Sequence, residues 1–292
     1  MTDVIHIGLS FDDNFWAPAY ATMRSICIST QRRKDLVFHL LHFPLSDEHR
    51  ADLEKITSEY GAKLNFYPLE SQPDFLALVQ NLPTSARWPA IVYARLALTK
   101  LLPADISRVI YLDTDVLVRW PIEKLYETDL AGADLGAVKE ALSPFIPLRA
   151  DMRQNADIFD GAEPYFNSGV LLIDLDAWRR IDFPAEIAAL ASSGVLSRLY
   201  FDQDMLNLIF RGRWAQLEWR WNTIDAHPAH EALDPAILHF TYATKPWALR
   251  AGIMRSTAYA RWYRHVMTNE LFYRFARHRW KRWWLKRLGI GR

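Results

Sequence analysis

The sequence holds a single cysteine, Cys27, among 292 residues. An intramolecular disulfide is therefore excluded, and a reducing compartment is the default expectation. Net charge is also nearly absent, since 35 Lys and Arg stand against 34 Asp and Glu, leaving +1. Such a balance gives no electrostatic case for nucleic acid, and none is expected as a partner. No apolar run approaches the length that spans a bilayer. The opening MTDVIHIGLSFDDN has no basic stretch ahead of an apolar one, as a secretory signal would have. Internal repeats and low-complexity linkers are missing too. These absences together predict a cytoplasmic protein.

What is present is ample core material, because half of the residues are hydrophobic. That suffices for one large domain or two small ones. The charge is unevenly spread. Residues 272–292 contain eight Lys and Arg and no acid, so from a net +1 the rest of the chain is left at −7. A mildly acidic body carries a strongly basic tail.

Two periodicities alternate along the first hundred residues. VIHIGLSF (4–11), LVFHLLHF (36–43) and KLNFYPL (63–69) read as strands. Residues 14–29 read as a helix, and so does SDEHRADLEKITSEY, with Ser46 as its N-cap and Gly61 just past its end. A further helix is expected over AIVYARLALTKLL (90–102), stopped by Pro103. Strands alternating with helices predict an α/β fold, with a mostly parallel sheet covered on both faces. In such sheets ligands bind beyond the carboxyl ends of the strands. Asp12 and Asp13 are therefore expected on one rim with Asp113 and Asp115.

RVIYLDTDVLVRW (108–120) is the most strand-like segment, yet it carries Asp113 and Asp115. Burying unpaired carboxylates costs several kcal/mol, so the pair is expected where the strand emerges. Residues two apart on a strand share a face, and both carboxylates could grip one hard cation, Mg²⁺ or Mn²⁺. Two other Asp-x-Asp pairs occur. Asp174 and Asp176 read as structural, with Asp176 capping the next helix. Asp202 could likewise cap a helix over 201–210, with Asp204 favoured by the helix dipole. His239 alone reads as an ordinary strand histidine and Lys245 as an exposed lysine. Together they suit Mn²⁺ and a phosphate.

Taken in order, FDDNF (11–15), YARL (93–96), YLDTDVLV (111–118), YFNSGVLLIDL (165–175), DQDMLN (202–207) and HFTYATKPW (239–247) resemble glycosyltransferase family 8. The likeness is to its retaining UDP-sugar transferases, above all the bacterial lipopolysaccharide α-galactosyl- and α-glucosyltransferases, and more distantly to glycogenin. It runs from about Ile5 to Trp247 and implies a single GT-A-type, Rossmann-like domain over residues 1–264. It also implies Asp113, Asp115 and His239 as metal ligands for Mn²⁺ or Mg²⁺. Asp12, Asn14, Arg95, Asp113, Thr114, Asn167, Asp202, Gln203 and Lys245 would bind the UDP-sugar. Gln203, Asp202 and Asp204 are the catalytic candidates. The family's pattern is broken twice, by Glu140 where an Asp is common and by Tyr242 where a Gly is common. The implied reaction moves a hexose, galactose or glucose, from UDP to a hydroxyl of a glycan or glycolipid. A phosphatase of the haloacid-dehalogenase type, with Asp113 as nucleophile, and a non-catalytic nucleotide-sugar binder are the alternatives.

The segment 265–292 reads as a basic amphipathic helix, with Phe272, Phe275, Ala276, Trp280, Trp283, Trp284 and Leu288 near helical spacing. It is expected to lie on the cytoplasmic face of the inner membrane and to bring the site to a lipid-linked acceptor. Packing of its aromatic residues on the body is the alternative.

Overall fold

The computed structural model describes residues 4–85, 89–140, 155, 157–160, 163–241, 245–248 and 259–289. The β/α alternation of the first half is as expected. Strands β1 (Ile5–Phe11), β2 (Leu36–His42), β3 (Lys63–Pro68) and β4 (Arg108–Leu112) pair in parallel, with β1 and β2 joined by helix α1 (Trp16–Ser29). Helix α2 (Asp47–Tyr60) begins at Ser46, whose hydroxyl accepts from the His49 N–H. It stops at Gly61, which takes the left-handed conformation at φ 75°.

β4 does not run through its aspartates. It ends at Leu112, residues 113–115 turn, and β5 (Val116–Val118) continues into a different sheet. There β5 pairs with β10 (Ile237–His239), which also pairs with β9 (Thr223–Ile224). The hydroxyl of Thr22 on α1 pins this turn by donating to the Thr114 and Val116 carbonyls, at 3.1 and 3.0 Å. Asp113 and Asp115 therefore flank a corner between two sheets, not two positions on one strand.

The main sheet has seven strands in the order β3-β2-β1-β4-β7-β6-β8, completed by β6 (Leu135–Lys139), β7 (Phe166–Asp174) and β8 (Trp214–Gln216). Only β7 is antiparallel to its neighbours. Its reversal brings its first residues, Phe166 to Gly169, to the rim where β4 ends, and the Asp113 N–H donates to the Gly169 carbonyl at 2.8 Å. Successive residues of β4 face opposite sides. Ile110 and Leu112 join the core under α1 and α2, while Val109 and Tyr111 join the core on the other face.

Two local expectations are corrected. The segment from residue 90 is a 3₁₀ helix over Ala90–Ala97 followed by a single α turn, Leu98–Leu101. The tighter winding turns five consecutive residues, Tyr93 to Ala97, into the interior, the cation Arg95 among them. The helix after β7 is capped by Asp174, whose carboxylate accepts from the Ala177 N–H at 2.8 Å. Asp176 lies within the first turn and pairs with Arg179 at 3.0 Å.

The first part of the C-terminal segment packs on the body, as one of the two expectations had it. Helix Ala260–Met267 packs on α1, and the following helix Asn269–Arg287 buries Leu271, Phe272 and Phe275. Phe275 meets Trp16 and Trp247 edge-on, and Arg274 pairs with Asp52 at 2.8 Å. Beyond that point the helix projects its apolar residues outward: Trp280 is 66% exposed, Trp283 51%, Trp284 41% and Leu288 64%. Among the described residues no helix is long and apolar enough to cross a membrane.

Candidate functional site

Three elements deliver the acidic corner. Asp113 and Asp115 come from the β4–β5 turn and His239 ends β10, which β5 holds alongside through the register His239 to Val116. One oxygen from each carboxylate and one ring nitrogen lie within 4.8 Å of one another. The His239 Nε2 is 3.2 Å from an Asp115 oxygen and 3.8 Å from one of Asp113. Two carboxylate oxygens and an imidazole make a donor set suited to Mn²⁺, and less fully to Mg²⁺. Room for the His239 ring beside Asp113 comes from Gly169. A Cβ there would stand 2.2 Å from His239 Cε1 and 2.8 Å from an Asp113 oxygen.

The charges at this corner compensate one another. Burial pushes the Asp115 carboxyl up, but His239 and Lys245 more than offset it and hold the group well below the usual carboxylate range. Lys245 Nζ donates to Asp115 at 2.7 Å and also to the Phe240 carbonyl. Burial lowers the His239 pKa, yet Asp115 and then Asp113 raise it further, so the net shift is upward. In the metal-free protein the imidazole therefore holds a proton more tightly than a free one.

Arg95 ties this corner to the helix Phe201–Ile209. Its guanidinium meets Asp113 and Asp202, both at 3.1 Å, donates to the Ser168 carbonyl, and lies 4.3 Å over the Tyr111 ring. Burial opposes its charge, but Asp202, Tyr111 and Asp113 prevail and raise its pKa. Asp202 also accepts from the Ser168 hydroxyl at 3.3 Å, so it is not merely an N-cap; that position is Tyr200. Burial, only partly countered by Arg95, pushes the Asp202 carboxyl up to about 6.

Next to Asp202 lies a buried amide network. Gln203 Oε1 accepts from the Ser168 N–H and from Asn167 Nδ2, both at 3.1 Å. Its Nε2 donates to Glu140 at 3.4 Å and to the Tyr165 hydroxyl at 3.2 Å. Both oxygens of Asp204 are engaged, by the Tyr165 hydroxyl at 2.5 Å and the Tyr200 N–H at 2.7 Å. Asp204 thus reaches Gln203 through Tyr165. Glu140 is long enough to accept from Asn167 and Gln203 together, which accounts for its place here. Tyr242 lies outside the described residues.

At the end of β1 the expected acidic pair splits. Asp12 accepts from the backbone and side-chain nitrogens of Asn14, at 2.9 and 2.8 Å. Asp13 turns away, accepting from the Ser46 N–H at 2.9 Å and standing 2.7 Å from His49 Nδ1. The start of α2, with its free N–H groups, draws that carboxylate off. The buried Asn14 Oδ1 has no partner among the described residues, an acceptor that a ligand could satisfy.

Residues 6–251 match the profile of Glycosyl transferase family 8. The chain belongs to this family. Similar curated relatives differ in the sugars they are named for. Lipopolysaccharide 1,2-glucosyltransferase of Escherichia coli is 26% identical over 259 residues, 84% of this chain and 74% of the relative. Probable galacturonosyltransferase-like 7 of Arabidopsis thaliana is 27% identical over 264 residues, 84% of this chain and 70% of the relative. Among solved structures, the galactosyltransferase LgtC in complex with donor and acceptor sugar analogues superposes with a TM-score of 0.72 at 26% identity, covering 90% of this chain and 95% of that one. The α/β architecture of this family 8 chain is thus the GT-A type expected, and membership displaces the phosphatase alternative.

Sequence reading missed Asn222, which bonds both His239 and Asn167, and Tyr165 and Asn207, which brace the amide network. Asn207 was in view, inside DQDMLN, but its bonds to Phe166 N and O at 2.8 and 2.9 Å depend on the reversal of β7. For Asn222, in the run WRWN, the sequence offers no signal.

Proposed function

We propose that this family 8 chain is a metal-dependent, retaining hexosyltransferase that moves galactose or glucose from a UDP-sugar to a hydroxyl of a glycan or glycolipid. The convergence of Asp113, Asp115, His239 and Lys245 beside the Arg95–Asp202–Asn167–Gln203 network carries this reading. When bound between Asp113, Asp115 and His239, Mn²⁺ or Mg²⁺ supplies positive charge that stabilises the departing diphosphate. Lys245 adds a second cation to the same oxygens. Asp12, Asn14 and Thr114 border the nucleotide, while Arg95 holds Asp113 and Asp202 in place. Asn167, Gln203 and Glu140 face the sugar as a fixed set of amide and carboxylate groups.

Breaking the anomeric carbon–oxygen bond places positive charge on the ring, as in glycoside hydrolysis. Gln203 is a poor nucleophile, and its oxygen already accepts two protein hydrogen bonds. That favours attack by the acceptor from the face the phosphate leaves, with Gln203 and Asp202 as electrostatic support and Asp204 bracing them. The test is a screen of Mn²⁺-dependent UDP release from UDP-galactose, UDP-glucose and their N-acetyl and uronic analogues. One of the two neutral hexoses should lead. Binding of UDP-sugar without hydrolysis or transfer to any acceptor would support the non-catalytic alternative.

The raised His239 pKa gives a pH dependence. A metal ligand must be the neutral imidazole, so binding releases the proton that Asp115 helps to hold. Mn²⁺ affinity should therefore fall by up to about tenfold per pH unit below that raised value and level off above it. An affinity flat from acid to neutral pH, measured by calorimetry, would contradict it.

The acceptor is proposed to be lipid-linked, in lipopolysaccharide or surface-glycan synthesis, reached by peripheral attachment to the cytoplasmic face of the inner membrane. The exposed Trp280, Trp283, Trp284 and Leu288, interleaved with Lys281, Arg282, Lys286 and Arg287, suit an anionic headgroup layer. Deleting all of 272–292 would also remove the buried Phe272 and Phe275. The informative variant is Trp280→Ser/Trp283→Ser/Trp284→Ser. It should keep the wild-type melting temperature and lose most binding to anionic liposomes; undiminished binding would refute the attachment.

A further inference from the structure

We propose that Asn222 is the positioning residue that fixes the tautomer of His239, so that Nε2 and not Nδ1 is the free ligand atom. The inference rests on the metal-centre reading above and deepens it. Its logic starts from two backbone groups that can only donate. The Gly169 N–H lies 3.0 Å from one end of the Asn167 amide, so that end is the oxygen. The Ser168 N–H fixes Gln203 in the same way, at 3.1 Å, and the Gln203 oxygen in turn faces the Asn167 nitrogen.

With Asn167 oriented, Asn222 has no choice. The end that lies 2.8 Å from the Asn167 oxygen must be its Nδ2. Its other end, Oδ1, carries no proton and lies 3.0 Å from His239 Nδ1. His239 must therefore donate from Nδ1, which leaves the Nε2 lone pair directed toward Asp115 and Asp113. Flipping Asn222 would set two acceptor oxygens 2.8 Å apart and push the histidine proton onto Nε2, where it blocks ligation. Asn167, Asn222 and His239 are all buried, so water does not relieve such a mismatch. The same side chain also joins the metal corner to the amides proposed to face the sugar, since Asn167 continues to Gln203 and Glu140.

The test reads the tautomer directly in the metal-free protein. Long-range ¹H–¹⁵N spectra of histidine-labelled protein, at alkaline pH where the imidazole is neutral, should show His239 with its proton on Nδ1. The resonance is assigned by its loss in His239→Gln. In Asn222→Leu the Nδ1–H form should lose its dominance, and affinity for Mn²⁺ alone, followed by electron paramagnetic resonance, should drop roughly 10–100-fold. Asn222→Asp keeps an acceptor for Nδ1–H but sets its second oxygen 2.8 Å from that of Asn167, so it should lower stability while retaining the wild-type tautomer. A proton on Nε2 in the wild type, or an Asn222→Leu protein unchanged in both tautomer and Mn²⁺ affinity, would overturn the assignment. Should Asn222→Leu not fold, the wild-type and Asn222→Asp spectra decide alone. Failure of the wild type to bind Mn²⁺ while Nδ1 stays protonated would sink the metal reading and leave the tautomer assignment intact.

Discussion

Asp115→Ala is expected to lower Mn²⁺-dependent UDP release by roughly 10³-fold or more, at least the cost of removing one oxyanion-hole donor. The reason is that Asp115 serves three groups at once. One oxygen faces His239 at 3.2 Å, the other accepts from Lys245 at 2.7 Å, and the carboxylate is one of the three groups proposed to hold the metal. Without it the ion loses a charged donor, and two cationic groups are left facing each other across the gap. His239 then has one carboxylate fewer to hold its proton, so its pKa should drop toward what burial dictates. Arg95 still holds Asp113 at 3.1 Å, so the fold around the corner should persist and the loss should be of function. Circular dichroism of wild-type character with Mn²⁺-dependent turnover gone is the expected pair of results. Turnover near the wild-type rate would remove Asp115 from the metal centre.

Much of that centre was legible because strand ends announce themselves. Apolar β-branched residues running into Asp113 mark where β4 leaves the core, and the α/β alternation assigns that end to the ligand-binding rim. His239 could be tied to the pair only through the family's motif order, since a histidine closing a three-residue strand has no local mark. The corner itself was not legible. Val116–Val118 continues the apolar run of β4 without a break in character, and only Thr22, distant in sequence, shows that the chain changes sheets there. Asp13 stands on the expected rim but turns away from Asp12 for a related reason. Its pull comes from Ser46 and His49, and adjacency to Asp12 says nothing of that. The amide network was half visible: Asn167, Gln203 and Glu140 could be named, but their mutual orientation is fixed by Gly169 and Ser168 backbone groups that any residue would supply.

Gly169→Ala should be nearly as damaging as losing a ligand, although it adds one carbon. The backbone there is outside the left-handed region, so its conformation would suit any residue, and only space is lacking. The new Cβ would fall 2.2 Å from His239 Cε1, 2.8 Å from an Asp113 oxygen and 2.9 Å from His239 Nδ1, closer than real Cβ contacts come. None of these neighbours can yield cheaply. The ring is held by Asn222 and by the pairing of β10 with β5, and Asp113 by Arg95. Relief requires either rotating the imidazole out of its bond to Asn222 or drawing β7 away from β4, where Gly169 accepts from the Asp113 N–H. Either route separates the ligands. Mn²⁺ affinity should fall at least about 100-fold, the upper range for disturbing a ligand's support, and stability by about 1–3 kcal/mol from overpacking. Gly8→Ala is the matching control, since its Cβ would meet the movable end of Leu98 at 3.2 Å and leave Mn²⁺ binding intact. Wild-type Mn²⁺ affinity in Gly169→Ala would mean that His239 has room to spare, and that the three side chains are not packed around one ion.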